Sequence, residues 1–314
     1  MFQLYKIRNF SALFNDTFAF FRLEGKNYFK NYIIINGVLL LILVILGFVV
    51  GRFFFENMLS AVTSGNSDAL FNGFAENAGF FIGMGIIALV LFLLITIVNY
   101  SYPVIYLSLF DKIKSPTAEQ VFTAMKARLG RIILFALLSL VTFFPLIMIV
   151  GLLSVVLAFL IITIPLIFIV FGAFSCWMYL TFYDYLSTDN GYFTSMGNGW
   201  DMLMKNFWGH AGATTIFYII IYVLQFIISM VTSMITSVFV ATDVDNPAYA
   251  EDQVQAFTVA GIIMFTLFAV SMIFTYILGN LVIVNQGMIY YSCREQEENR
   301  SLETEIDLIG RDTE

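Results

Sequence analysis

The stretch NYIIINGVLLLILVILGFVVG, residues 31–51, contains no charged residue and is bounded by Lys30 and Arg52. A helix that crosses a membrane needs about 20 predominantly apolar residues, and this stretch is long enough for one. The same criterion, applied along the whole chain, predicts six transmembrane helices. Their approximate bounds are 32–51, 78–108, 132–150, 155–182, 211–240 and 256–280.

The composition agrees with this prediction. Hydrophobic residues make up 60% of the 314 residues and charged residues only 12%, whereas soluble domains have about 25% charged residues. Much of the net charge of −7 comes from a charged tail, residues 293–314, and no pattern indicates nucleic-acid binding. We therefore predict an all-α, polytopic membrane domain, residues 1–292, whose partners are membrane lipids, other membrane proteins or a second copy.

Two of the apolar runs need a decision about where helices end. The run between Arg131 and Asp184 is long enough for two helices, and the sequence places their turn at Gly151–Ser154. After Gly279 the chain is too short to cross the membrane again, so we expect a helical extension there.

The distribution of lysine and arginine predicts the orientation. If the N-terminus lies in the cytoplasm, every basic residue except Arg52 falls on the cytoplasmic side, as the positive-inside rule requires. We therefore expect both termini inside.

Three segments carry apolar residues at the three-four spacing of an amphipathic helix. Such helices lie in the membrane interface, and their repetition predicts three units, each an interfacial helix followed by a hairpin of two spans. The second would begin at Ser115–Pro116. The apolar positions are Phe10, Leu13, Phe14, Phe18 and Phe21 in the first segment, Ala118, Val121, Phe122, Met125 and Leu129 in the second, and Met196, Trp200, Leu203 and Phe207 in the third.

Polar residues enter the spans mainly near their cytoplasmic ends. One interpretation is hydrogen bonding between helices, with an aromatic belt at the headgroup level. The other is an inward-facing polar cavity between helices broken at Pro103 and Pro165. The candidate cavity residues are Asn36, Asn99, Tyr102, Asp184, Gln225, Asn280, Asn285 and Gln286.

Two further sets of residues have predicted roles. Basic residues near the inner boundary, and the single histidine, are candidate contacts for lipid headgroups: Lys26, Lys30, Lys126, Arg128, Arg131, Lys205 and His210. Small residues four apart let helices approach closely. Such pairs occur at the outer end of the first hairpin: Gly47 with Gly51, and Gly79 with Gly83.

No pattern indicates catalysis. The chain has one histidine, no G-x-S-x-G motif and two isolated cysteines, so we predict no catalytic, cofactor-binding or metal site. No charged residue lies in the middle of a span, which disfavours an ion-coupled pump. Two classes of function remain: a scaffold, assembly factor or accessory subunit, and a carrier or flippase-like protein for lipids or small amphipathic molecules.

One region carries a resemblance to a known family. It comprises Pro165, the aromatic stretch CWMYLTFYDYLST (176–188) and GYFTSMGNGWDMLMKNFWGHAGATTIFYIII (191–221). In these features the chain resembles six-helix bacterial membrane proteins that include the membrane domain of some glycerophosphoryl diester phosphodiesterases. The resemblance implies the bacterial cytoplasmic (inner) membrane as location. The tail is too short for a phosphodiesterase domain. The resemblance therefore implies a fold and no reaction.

Overall fold

The computed structural model describes residues 2–64, 73, 75–160, 163–241 and 250–298, and the described part of the chain is helical, without strands. Within these described residues, six helices are long and apolar enough to cross a membrane: α1, α2, α4, α5, α7 and α8. The predicted all-α class with six such helices is confirmed, while their pairing into hairpins and the side of the termini stay predictions. The helices are α1 (Phe10–Ser64), α2 (Ala78–Phe110), α3 (Ala118–Ala127), α4 (Leu129–Ala158), α5 (Ile164–Ser187), α6 (Tyr192–Lys205), α7 (Phe207–Ala241) and α8 (Ala250–Glu298).

The chain forms two compact units. The first comprises the described residues within 1–35, 97–220 and 278–314, and the second comprises those within 36–96 and 221–277. Helices α3 to α6 belong entirely to the first unit, whereas α1, α2, α7 and α8 contribute residues to both.

The connection between α4 and α5 lies later than the sequence predicted. Helix α4 continues through Gly151–Ser154 to Ala158. Pro165 lies in the first turn of α5 and does not interrupt the middle of that helix. A glycine inside a helix costs only about 1 kcal/mol relative to alanine, whereas proline suits the first turn of a helix. The proline, not the glycine, therefore marks the boundary, and Thr163 closes the end of α4 by donating to the Leu160 carbonyl at 2.7 Å.

The predicted interfacial helices have three different outcomes. The first is not a separate helix, because α1 runs without a break from Phe10 into the first span. The second is α3, but its N-cap is Thr117, which forms a capping box with Gln120, and not Ser115–Pro116. The third is α6, a separate helix as predicted.

The buried face of α6 differs from the predicted apolar stripe. Its buried residues are Tyr192, Ser195, Gly199, Met202 and Leu203. Of the predicted stripe only Leu203 is buried, and Trp200 is 45% exposed. The reason is that α6 approaches α5 closely at Gly199, so the buried face is centred on Ser195 and Gly199 rather than on Trp200.

The C-terminal part of α8 lies at the centre of the first unit. Residues 282–293 are all buried, so this segment is surrounded by protein on every side. The outer faces of other long helices are apolar, and Val141 of α4 is 72% exposed. Apolar surface of this extent is typical of helices that contact lipid or another protein.

Candidate functional site: a buried polar interior

The candidate cavity residues do not form one group. Asn36 and Gln225 belong to the second unit, where Gln225 Nε2 donates to Thr275 Oγ1 at 3.1 Å. The other six lie in the first unit and are buried: Asn99, Tyr102, Asp184, Asn280, Asn285 and Gln286. Their hydrogen bonds divide them into three groups.

Tyrosine hydroxyls and asparagine amides join α1, α2 and α8 in the first group. Tyr32 donates to Asn99 Oδ1 at 2.8 Å, and Tyr28 donates to Asn280 Oδ1 at 2.7 Å. The two asparagines are themselves joined, since Asn280 Nδ2 donates to Asn99 Oδ1 at 3.4 Å. Tyr102 donates to the carbonyl of Tyr28 at 2.6 Å. These bonds connect helices from three distant parts of the sequence, in agreement with the first interpretation of the polar residues.

Two neighbouring amides of α8 form the second group and reach two different helices. Asn285 Nδ2 donates to Thr17 Oγ1 of α1 at 3.1 Å, and Gln286 Nε2 donates to Thr214 Oγ1 of α7 at 2.7 Å. Consecutive helical residues point about 100° apart, because a helix has 3.6 residues per turn. The carbonyl oxygens of both amides are buried without a hydrogen-bond partner among the described residues.

Asp184 and the polar residues around it form the third group. The structure places Asp184 inside α5, fully buried, rather than after the span. Its Oδ2 accepts hydrogen bonds from Asn190 Nδ2 at 3.1 Å and from Asn198 Nδ2 at 3.0 Å. Neither asparagine was predicted to have a role, because both lie outside the spans.

The two predicted glycine pairs have different surroundings. A Cβ atom at Gly47 or Gly51 would lie 3.4 or 3.3 Å from the ring of Phe265, so both residues do permit close packing. Their partner is α8 and not the neighbouring helix of the same predicted hairpin. At Gly79 and Gly83 a Cβ atom would meet nothing within 4 Å.

Three glycines that the sequence did not single out pack more tightly. A Cβ atom would lie 2.1 Å from Thr215 Oγ1 at Gly172, 2.6 Å from Thr181 Oγ1 at Gly199 and 2.4 Å from Leu107 Cδ1 at Gly287. None belongs to a small-residue pair in the sequence analysis, so a search for G-x-x-x-G misses them.

Several predicted headgroup contacts instead bind within the protein. Arg131 Nη2 donates to the carbonyls of Tyr185 and Asn190, at 2.5 and 2.9 Å, and the guanidinium lies 4.3 Å from the Tyr185 ring centroid. Arg131 therefore holds the connection between α5 and α6. Lys205 pairs with Glu297 at 2.5 Å.

The basic residues whose side chains face outward are a smaller set. Lys26, Lys30 and Lys126 are exposed, and Arg128 is partly exposed. The three lysines stay available for lipid headgroups, whereas Nη1 of Arg128 is buried.

His210 is not a headgroup contact in this structure. It is 3% exposed, and its Nδ1 lies 3.0 Å from the carbonyl oxygen of Met202. A carbonyl oxygen only accepts, so this bond requires the proton on Nδ1. The corner between α6 and α7 buries the imidazole at a position that looks peripheral in the sequence.

The N-terminal segment contains a buried arginine that the sequence analysis did not single out. Arg8 donates to Asp16 Oδ2 at 2.9 Å and to the carbonyls of Leu4 and Gln3, both at 2.7 Å. Its backbone N–H donates to Ser292 Oγ of α8 at 2.9 Å. Burial lowers the pKa of Arg8, and the hydrogen bond to Asp16 opposes that effect.

A comparison of the chain with protein-family models, curated proteins and solved structures finds no match. Within the described part of the chain, no three or more His, Cys, Asp or Glu side chains form a group that could hold a metal ion. Cys176 and Cys293 are buried, and neither forms a disulfide.

Proposed function

We propose that this chain is a non-enzymatic membrane protein of the bacterial cytoplasmic membrane that acts as a scaffold, assembly factor or accessory subunit. The observation that supports the proposal is the hydrogen bonding of the first group. The side chains of Tyr28, Tyr32, Asn99 and Asn280 bind one another across three helices. Polar groups used in this way stabilise helix association.

The exposed aromatic surface of α6 and α7 also supports the proposal. Aromatic side chains face outward at both ends of α6: Phe193 at its start is 69% exposed, and Trp208 at the α6–α7 corner is 68% exposed. Large exposed aromatic residues are enriched where proteins meet each other and in membrane interfaces. A scaffold needs such a face, and its partner would be a membrane protein seated there.

The test is affinity purification of the tagged chain from native membranes, with mass spectrometry of proteins and lipids. We expect a membrane protein to co-purify in constant ratio, and the variant Trp208→Ala to reduce that ratio. Phe226→Ala, also highly exposed but on the apolar face of α7, is the matched control and should retain the partner. If both variants retain the partner, or if no membrane protein co-purifies, the proposed scaffold role is contradicted.

A carrier for lipids or small amphipathic molecules is the second candidate. The carbonyl oxygens of Asn285 and Gln286 favour it, because hydrogen-bond donors on a bound molecule would satisfy these two buried acceptors. The double variant Asn285→Leu/Gln286→Leu should then abolish stabilisation by the co-purified lipid. Stabilisation equal to that of the native chain would contradict the carrier.

A further inference from the structure

The carboxylate of Asp184 uses only one of its two oxygens. Oδ2 accepts two amide hydrogen bonds, from Asn190 and Asn198. Oδ1 is equally buried, but it has no hydrogen-bond partner among the described residues. Among the described residues no lysine, arginine or histidine forms an ion pair with Asp184. The Arg131 guanidinium lies beside this group but donates to the carbonyls of Tyr185 and Asn190 instead. A buried carboxylate in this situation is costly unless something compensates its charge.

A second buried oxygen without a described partner lies on the facing helix. Ser195 is 0% exposed, and its Oγ has no hydrogen-bond partner among the described residues. It precedes Asn198 by three residues on α6, and residues three apart share one face of a helix. Asn198 reaches Asp184, so the Ser195 hydroxyl lies on the same face, about one turn away.

The packing of α6 on α5 fixes which surfaces face each other. A Cβ atom at Gly199 would lie 2.6 Å from Thr181 Oγ1, so the backbones are close there. The face of α6 that carries Ser195, Asn198 and Gly199 is therefore the face turned toward α5. Asp184 lies three residues beyond Thr181, about one turn along α5, and its hydrogen bond from Asn198 places it against the same face of α6.

We propose that Asp184 and Ser195 form a binding site for a small monovalent cation, Na⁺ or K⁺, between α5 and α6. Carboxylate and hydroxyl oxygens are hard ligands, and one carboxylate balances one positive charge. Calcium takes six to eight oxygen ligands, commonly including several carboxylates. Within the described residues no three His, Cys, Asp or Glu side chains lie close enough together to hold a metal ion. The amides of Asn190 and Asn198 hold Oδ2 and so orient Oδ1. This site goes beyond the proposed function and does not depend on it.

The first measurement is thermal unfolding of the purified full-length protein in detergent. Titrations with NaCl and KCl are compared with choline chloride at the same ionic strength. A ligand that binds only the folded state raises the unfolding midpoint as its concentration rises. We expect a saturable rise with Na⁺ or K⁺ that choline does not produce. Identical midpoints in all three salts would mean a structural water only and would overturn the proposal.

Variants then locate the effect. Asp184→Asn keeps the shape but removes the charge, and it should abolish the cation-specific rise. Ser195→Ala removes one ligand, and it should raise the half-saturating cation concentration about tenfold, which corresponds to ~1.4 kcal/mol. Asp201→Asn removes an exposed charge from the same helix and should respond like the native chain.

Two controls distinguish cation binding at this site from a general effect of salt. An equal loss of response in Asp201→Asn would show that the salt effect is not specific to this site. If Asp184→Asn does not fold, the titration of Ser195→Ala decides, and an unchanged half-saturating concentration overturns the proposal.

Discussion

Gly287 of α8 lies directly against Tyr183 of α5: a Cβ atom at position 287 would be 2.7 Å from the tyrosine hydroxyl oxygen. The hydroxyl cannot easily move away, because it donates to the carbonyl of Ile283 at 2.9 Å. The contact places the buried segment of α8 against α5, and it can occur only where the residue has no side chain.

Gly287→Ala should therefore destabilise the protein. The added methyl group would also lie 2.4 Å from Leu107 Cδ1, and overpacking of this kind costs about 1–3 kcal/mol. We expect a lower midpoint of thermal unfolding, measured by tryptophan fluorescence in detergent. Gly83→Ala is the matched control, since its methyl group would meet nothing within 4 Å. A Gly287→Ala protein as stable as Gly83→Ala would contradict the contact.

The pair Tyr28 and Asn280 should show energetic coupling. Their hydrogen bond of 2.7 Å is buried, and bonds between membrane helices contribute about 0.6 kcal/mol on average and up to ~1.7 kcal/mol. We expect a double-mutant cycle of Tyr28→Phe and Asn280→Leu to give a coupling energy within that range. Denaturation of each variant in mixed detergent supplies the four free energies. A coupling energy of zero would mean that the bond does not contribute.

Arg131 should be sensitive even to a conservative change. Its guanidinium donates to two carbonyls and lies over the Tyr185 ring, which a lysine ammonium cannot reproduce together. Because hydrogen bonds from charged groups contribute about 1.5–3 kcal/mol, Arg131→Lys should lower the free energy of unfolding by about 1–2 kcal/mol. Amide hydrogen exchange in the α5–α6 connection should also become faster.

The control for Arg131 is Lys126→Gln. Lys126 is exposed, so its loss should leave both the unfolding midpoint and the exchange rates of that connection unchanged. Equal effects of the two variants would indicate a general effect of charge rather than the bonds of Arg131.

The class of fold could be predicted because it depends on local properties of the sequence. The length and apolarity of a run, such as residues 31–51, indicate a span without knowledge of any neighbour. The residue at which α4 ends was predicted less accurately. Gly151 and Pro165 are both typical of helix boundaries, and only the context shows that the glycine is tolerated inside the helix.

The candidate site depends on how each helix is rotated about its own axis. The sequence of a single protein does not contain that information. Asn99 and Asn280 were recognisable as polar residues near the predicted cytoplasmic ends of their spans, but their hydrogen bond to each other was not predicted. Their partners Tyr28 and Tyr32 come from a third helix whose rotation is set by packing. His210 shows the opposite error, because a position at the end of a span indicates exposure while the α6–α7 corner buries it.

The orientation of the chain is the last prediction. Basic residues other than Arg52 fall on one side of the predicted spans, so the positive-inside rule places that side in the cytoplasm. In a background with Cys176 and Cys293 replaced by alanine, Asn246→Cys should react with a membrane-impermeant maleimide in intact cells. Asp189→Cys, exposed between α5 and α6, should react only after permeabilisation. Labelling of Asp189→Cys but not Asn246→Cys in intact cells would invert the orientation.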